Sequence, residues 1–198
     1  MEDPGTLATN RENRGSPKGI PAQTEKESGM SKMNMFVGEG FCGPGVNLAH
    51  VNLIMGPKDG PAGIGFASSF SPTQGFCPFM VCIAPGVPAK PPTLFLNKAE
   101  INGEFHGNAT WGACQAGLAK AIGEALVDGT LPAEAGDEWC IITANWVNPS
   151  CDDLDAVFNN NYEACKTAIK AALNSLPTKE DVKGALTRIS NAFYTPKA

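Results

Sequence analysis

Histidine, long hydrophobic runs and clustered basic charge are all scarce in this 198-residue chain, and each scarcity removes a class of function. There are two histidines, and the seven cysteines are scattered and never spaced C-x-x-C, so neither a zinc site nor a disulfide framework is indicated. Buried free thiols are the expected state. The longest uninterrupted apolar run, Phe79 to Ala84, falls far short of the roughly 20 residues that a helix needs to cross a bilayer. A formal net charge of -5 without a dense Lys/Arg block gives no electrostatic footprint for nucleic acid or for a membrane surface. Residues 1–34 lack the apolar stretch of a secretory signal, and their glutamates argue against a transit peptide, so the expected location is cytoplasmic.

Several site motifs are missing as well. GEGFCGPG and GPKDGPAGIG are rich in glycine but match neither phosphate-binding pattern, and they read as turns. The acidic run CDDLD lacks the spacing and glycine of a calcium loop and reads as a solvated face. His106 stands without ligand partners at metal-binding spacing. No G-x-S-x-G elbow is present, and no Cys/His pairing has supporting context, so covalent acyl chemistry is not indicated.

What the chain does contain is one domain's worth of alternating structure between two appendages. Residues 1–34 combine Pro, Gly, Ser, Asn and charge with almost no large apolar side chains, a composition that cannot offset its ordering entropy, so disorder is expected. The domain runs over 35–177, and the tail, 178–198, is expected to carry a helix capped by Thr178 with Asp181 three residues on. Strands are predicted over 35–38, 47–55, 78–84, 93–101 and 138–147. A long helix is predicted over 109–127, where Cys114, Leu118, Ala121, Ile122, Ala125 and Leu126 form one apolar stripe. A second is predicted around Tyr162, Cys165, Ile169, Ala172 and Leu173, and a short one after Pro61. The expected class is α/β (α+β), a two-layer sandwich.

Strand alternation singles out the chemistry. In 47–55, His50 and Asn52 share a face with Leu48 and Ile54; in 93–101, Lys98 and Glu100 share a face with Leu94 and Leu96. Each strand thus changes along one face from apolar residues to a polar pair, as at the rim of a pocket. The alternatives are a hydrogen-bonded structural histidine and a solvated Lys98/Glu100 edge pair.

The stretch GEGFCGPGVNLAHVNLIMGPKDGPAGIGFA resembles the formaldehyde-activating enzymes of methylotrophs and methanogens. PGVPAKPPTLFLNKAEI, GACQAGLAKAIGEALVDGTLPAEAGDEWCIITANWVNP and NNNYEACKTAIKAALNSLP agree with them in order and spacing. The resemblance covers about Val37 to Pro177 and implies a ribosomal-protein-S5-domain-2-like fold. It also implies a homopentamer with pterin sites between subunits, and condensation of formaldehyde with tetrahydromethanopterin as co-substrate, with no tightly bound cofactor. That activity belongs to one-carbon metabolism, methylotrophy and formaldehyde detoxification.

By the same resemblance, the active-site histidine falls on His50, a pterin-contacting lysine on Lys98 and a glutamine on Gln115. Three other substrate-binding positions differ in type. An aspartate is here Asn52, a threonine is Glu100 and a leucine is Met80. A carboxylate beside His50 would favour the imidazolium, so Asn52 is expected to leave it a poorer proton reservoir, with Glu100 either compensating or neutralising Lys98. Two readings follow: a working formaldehyde-activating enzyme, or a non-catalytic pterin- or formaldehyde-binding paralogue that senses or buffers one-carbon units.

Overall fold

A computed structural model describes residues 34–70, 78–191 and 194–197. The expectation of a disordered leader falls, but for Asn34, outside the described residues. Among these described residues, seven strands and six α-helices follow in the order β1 (Phe36–Cys42), β2 (Ala49–Pro57), α1 (Pro61–Ser69), β3 (Phe79–Met80), β4 (Cys82–Ala84), β5 (Val87–Pro88), β6 (Thr93–Asn97), α2 (Gly103–Gly107), α3 (Gln115–Val127), α4 (Ala135–Glu138), β7 (Trp139–Trp146), α5 (Leu154–Leu173) and α6 (Lys179–Ala185). Between α2 and α3, residues Asn108–Cys114 form a π-helical segment. The helix predicted over 109–127 therefore exists as a π-helical turn followed by a regular α-helix.

The main sheet has the order β1-β2-β7-β6-β3, with β6 and β7 parallel and the other neighbours antiparallel. Period-two alternation sends Val51, Leu53 and Met55 of β2 to one face, where they join Ile141 and Phe95 in the core under α3 and α5. Each such side chain, fully buried, contributes roughly 1.5–3 kcal/mol. The stripe predicted on α3 packs into the same core through Cys114, Leu118, Ala121, Ile122 and Ala125.

On the opposite face lie Ile54 and its neighbour Ile142, and α1 approaches there, with Gly65 in contact range of the Ile142 side chain. Helix α1 thus covers one end of the second face, which a strict two-layer sandwich would leave bare. The rest of that face holds His50 and Asn52.

Strand β1 departs from the reading of GEGFCGPG as a turn. It runs through Cys42, because Gly38 and Gly40 are strand residues whose missing side chains admit helix α5. A Cβ at either would overlap the carbonyl oxygen of Ala168 or Ala164. The glycines serve close helix-on-sheet packing rather than chain reversal. The acidic run is also more than a solvated face: Asp153 caps α5 by accepting from the backbone N–H of Ala156 at 3.0 Å. In the tail, Thr178 and Asp181 form the expected capping box of α6, which ends at Ala185.

Candidate active site

Register builds the site. Glu39 of β1 pairs directly with Asn52 of β2, and Phe41 pairs with His50, so the four side chains lie on one face in two adjacent rows. Across β7 the His50 row continues to Trp146. Strand β6 ends at Asn97, but the backbone N–H of Lys98 still bonds to Asn145, which carries Lys98 to the same face.

Four polar side chains then close a ring. Glu39 Oε1 lies 2.7 Å from His50 Nε2 and accepts from Asn52 Nδ2 at 3.1 Å. Lys98 Nζ donates to Asn52 Oδ1 at 2.7 Å and lies 3.1 Å from His50 Nδ1. An ammonium has no lone pair to offer, so Nδ1 is the acceptor and the ring proton sits on Nε2, directed at Glu39. Phe41 stacks on the imidazole with centroids 3.8 Å apart, which restrains the ring from one side.

Electrostatics divide the ring unevenly. Burial of the His50 imidazole lowers its proton affinity, and the Lys98 charge adds to this against the hydrogen bond and charge of Glu39; the net value lies below the ordinary one. Burial likewise pulls Lys98 down to about 8, against the opposing charge of Glu39. Burial alone would raise Glu39, but the hydrogen bonds from His50 and Asn52 and the charges of His50 and Lys98 together hold it below the usual carboxylate range.

The structure thus brings together His50, Asn52 and Lys98, as alternation suggested, and adds Glu39, which the sequence reading missed. Glu100 is not a member. Strand β6 stops before it, so the alternation that would place it beside Lys98 does not extend that far, and Glu100 is exposed. Lys98 pairs with His50 and Asn52 instead of forming an edge pair with Glu100. The expectation that His50 lacks a carboxylate is likewise corrected: Glu39 supplies one from the neighbouring strand.

Gln115 and Met80 are placed differently. Gln115, at the start of α3, is buried, and its Oε1 accepts from the backbone N–H of Cys82 at 2.6 Å. It lines an open pocket of about 420 Å³ with Phe79, Cys82 and the half-exposed Trp111. Met80 follows Phe79 on the short strand β3 and pairs with Leu94.

His106 is structural: buried, it donates from Nε2 to the Val147 carbonyl at 3.0 Å and accepts at Nδ1 from the backbone N–H of Asn102 at 3.0 Å. Among the described residues no cluster of His, Cys, Asp and Glu is suited to a metal ion, and no helix is long and apolar enough to cross a membrane.

Comparison with known proteins identifies the family. The chain is 35% identical over 150 residues to the 5,6,7,8-tetrahydromethanopterin hydro-lyase of Methanosarcina barkeri, covering 75% of this chain and 84% of that one. It is 32% identical over 163 residues to the bifunctional enzyme Fae/Hps of Archaeoglobus fulgidus, covering 82% of this chain but only 41% of that protein. The chain therefore spans less than half of the bifunctional relative. The sequence profile described as "Formaldehyde-activating enzyme (Fae)" matches residues 37–194, and the chain belongs to that family.

Proposed function

We propose that this chain condenses formaldehyde with tetrahydromethanopterin to give 5,10-methylenetetrahydromethanopterin and water, as a carbon-oxygen hydro-lyase. One observation carries the reading beyond family membership: the ring that joins Glu39, His50, Lys98 and Asn52. Formaldehyde adds to a secondary amine without help. The carbinolamine then has to lose its hydroxyl as water, and that step needs a proton donor. A positioned acid accelerates such a step by about 10²- to 10⁴-fold. In the proposed mechanism His50 delivers the proton and recovers one when the second pterin nitrogen closes the ring.

The 3.1 Å contact between Lys98 and His50 gives that proton a local source, and Glu39 stabilises the imidazolium while it lasts. The reaction involves no change of oxidation state that would call for a bound redox cofactor. The reading as a non-catalytic paralogue rests on Asn52 and Glu100; against the first of these, Glu39 supplies a carboxylate beside His50.

The finer features implied by the resemblance belong to the same proposal: the ribosomal-protein-S5-domain-2-like fold, the cytoplasmic location and a homopentamer with sites between subunits. Two observations support the shared site. Gln115 and Met80 do not join the His50 ring, and the open pocket beside Gln115 exposes Trp111, while the sheet face around His50 exposes Phe41. Measuring methylene-tetrahydromethanopterin formation by the purified protein against the spontaneous rate tests the function, and light scattering tests the assembly. A rate no greater than the spontaneous one would refute the catalytic reading.

A further inference from the structure

Glu39, His50 and Lys98 stand in line as carboxylate, imidazole and amine. Carboxylate to Nε2 is 2.7 Å and Nδ1 to amine is 3.1 Å. A nucleophile within hydrogen-bond reach of a base, itself oriented by a third group, is the arrangement that activates side chains for covalent catalysis. We propose that Lys98 is a nucleophile toward formaldehyde, with His50 as its base and Glu39 as the residue that positions the base, so that the one-carbon unit is held as a lysine methylene-iminium before transfer. This rests on the reading of the site as one that handles formaldehyde and replaces its first step: the carbinolamine that His50 dehydrates is carried by Lys98 before the pterin takes up the one-carbon unit.

The surroundings of Lys98 suit the role. Its nearest partners, His50 Nδ1 and Asn52 Oδ1, are both neutral acceptors, and they occupy two of the three ammonium hydrogens. The only carboxylate in the ring, Glu39, bonds to His50 and Asn52 and not to the amine. The amine is half-buried, and its proton affinity is pulled down to about 8. Asn52 gains a reason here. A carboxylate at that position would sit 2.7 Å from the amine and hold it as an ammonium, whereas the amide binds it without that charge.

The steps balance. Lys98 passes a proton to His50 Nδ1, and the free amine attacks the formaldehyde carbon. A C–N bond forms as the C=O π bond breaks, and the oxygen takes up the amine's second proton, giving a carbinolamine. The proton on His50 then goes to the hydroxyl, which leaves as water, and the nitrogen lone pair forms the iminium. The ammonium and formaldehyde have become a methylene-iminium and water, with His50 unchanged. A secondary amine that attacks the methylene carbon sends the C=N π pair back to the lysine nitrogen and passes that nitrogen its own proton; the C–N bond to Lys98 then breaks as the incoming nitrogen's lone pair forms a new iminium, which frees the Lys98 amine.

Reductive trapping tests this without any pterin. The folded protein is exposed to isotope-labelled formaldehyde and cyanoborohydride at pH 7, and N-methylation of each lysine is followed by peptide mass spectrometry. A pKa of about 8, against the ordinary value near 10.4, leaves on the order of 100 times more free amine at that pH. Allowing for restricted access, Lys98 is expected to label at least about 10-fold faster than the exposed Lys90 and Lys120. In His50→Gln the half-buried amine keeps its lowered proton affinity but loses its base, so Lys98 labelling is expected to fall by about 10-fold or more from the native rate. Labelling of Lys98 no faster than of Lys90 and Lys120 in the native protein overturns the proposal, even if the protein accelerates the pterin reaction. Selective labelling without acceleration upholds it and overturns the pterin function instead.

Discussion

Glu39 Oε1 and His50 Nε2 lie 2.7 Å apart across the β1–β2 ladder, in diagonally related positions on one face of the sheet. That contact turns an imidazole at a pocket rim into the middle member of a charge-coupled line. Replacing Glu39 by Gln keeps an oxygen to accept from Nε2 but removes the charge. A nearby negative charge stabilises imidazolium, so the already lowered His50 pKa is expected to fall further, and the limb of the kcat/KM profile that His50 controls should move to lower pH. NMR titration of the His50 ring reads the shift directly. An unmoved titration would reduce Glu39 to a structural contact.

Asn52→Asp separates the sequence expectation from the structural one. By sequence alone, a carboxylate there should improve His50 as an acid. In the structure the amide donates to Glu39 and accepts from Lys98, and an aspartate can do only the second. It would form an ion pair with Lys98 and face Glu39 as a like charge. Lys98 labelling at pH 7 should therefore fall by about 10-fold or more, as a one-unit rise in amine pKa requires. Faster labelling in this variant would contradict the role given to the amide.

The pH dependence of trapping in the native protein follows from the same lysine. Protonation removes the nucleophile, so labelling of Lys98 should rise with pH and level off above about 8. A Lys98 profile that keeps rising to about 10.4, the value of an unperturbed lysine, would show an ordinary ammonium.

Gly40→Ala probes the packing that places Glu39. The added Cβ meets the Ala164 carbonyl, which belongs to the α5 backbone and cannot swing away as a side chain could. Overpacking of this kind costs about 1–3 kcal/mol, and denaturant unfolding should show a loss in that range. Unchanged stability would mean that β1 and α5 are less closely apposed.

These glycines explain why Glu39 was not legible in the sequence. Gly-Glu-Gly ahead of Gly-Pro-Gly has the composition of a turn, and only the approach of α5 shows that its first two glycines lie within a strand. Where alternation was uninterrupted, as in 47–55, the sequence placed His50 and Asn52 together correctly. Where a strand ended early, at Asn97, the same rule carried Glu100 too far. Lys98 was recoverable because backbone pairing outlasts the strand by one residue. The helices were legible from their stripes, but the π-helical turn ahead of Gln115 was not, since its apolar spacing differs little from that of an α-helix.

The most direct measurement is the initial rate of methylene-tetrahydromethanopterin formation by wild type, His50→Ala and the uncatalysed mixture, at one pH and one formaldehyde concentration. Wild type is expected to exceed the spontaneous rate by at least about 10²-fold, and His50→Ala to fall close to it while unfolding at a similar denaturant midpoint. A His50→Ala protein as fast as wild type would make the histidine a structural residue and contradict the account of the site.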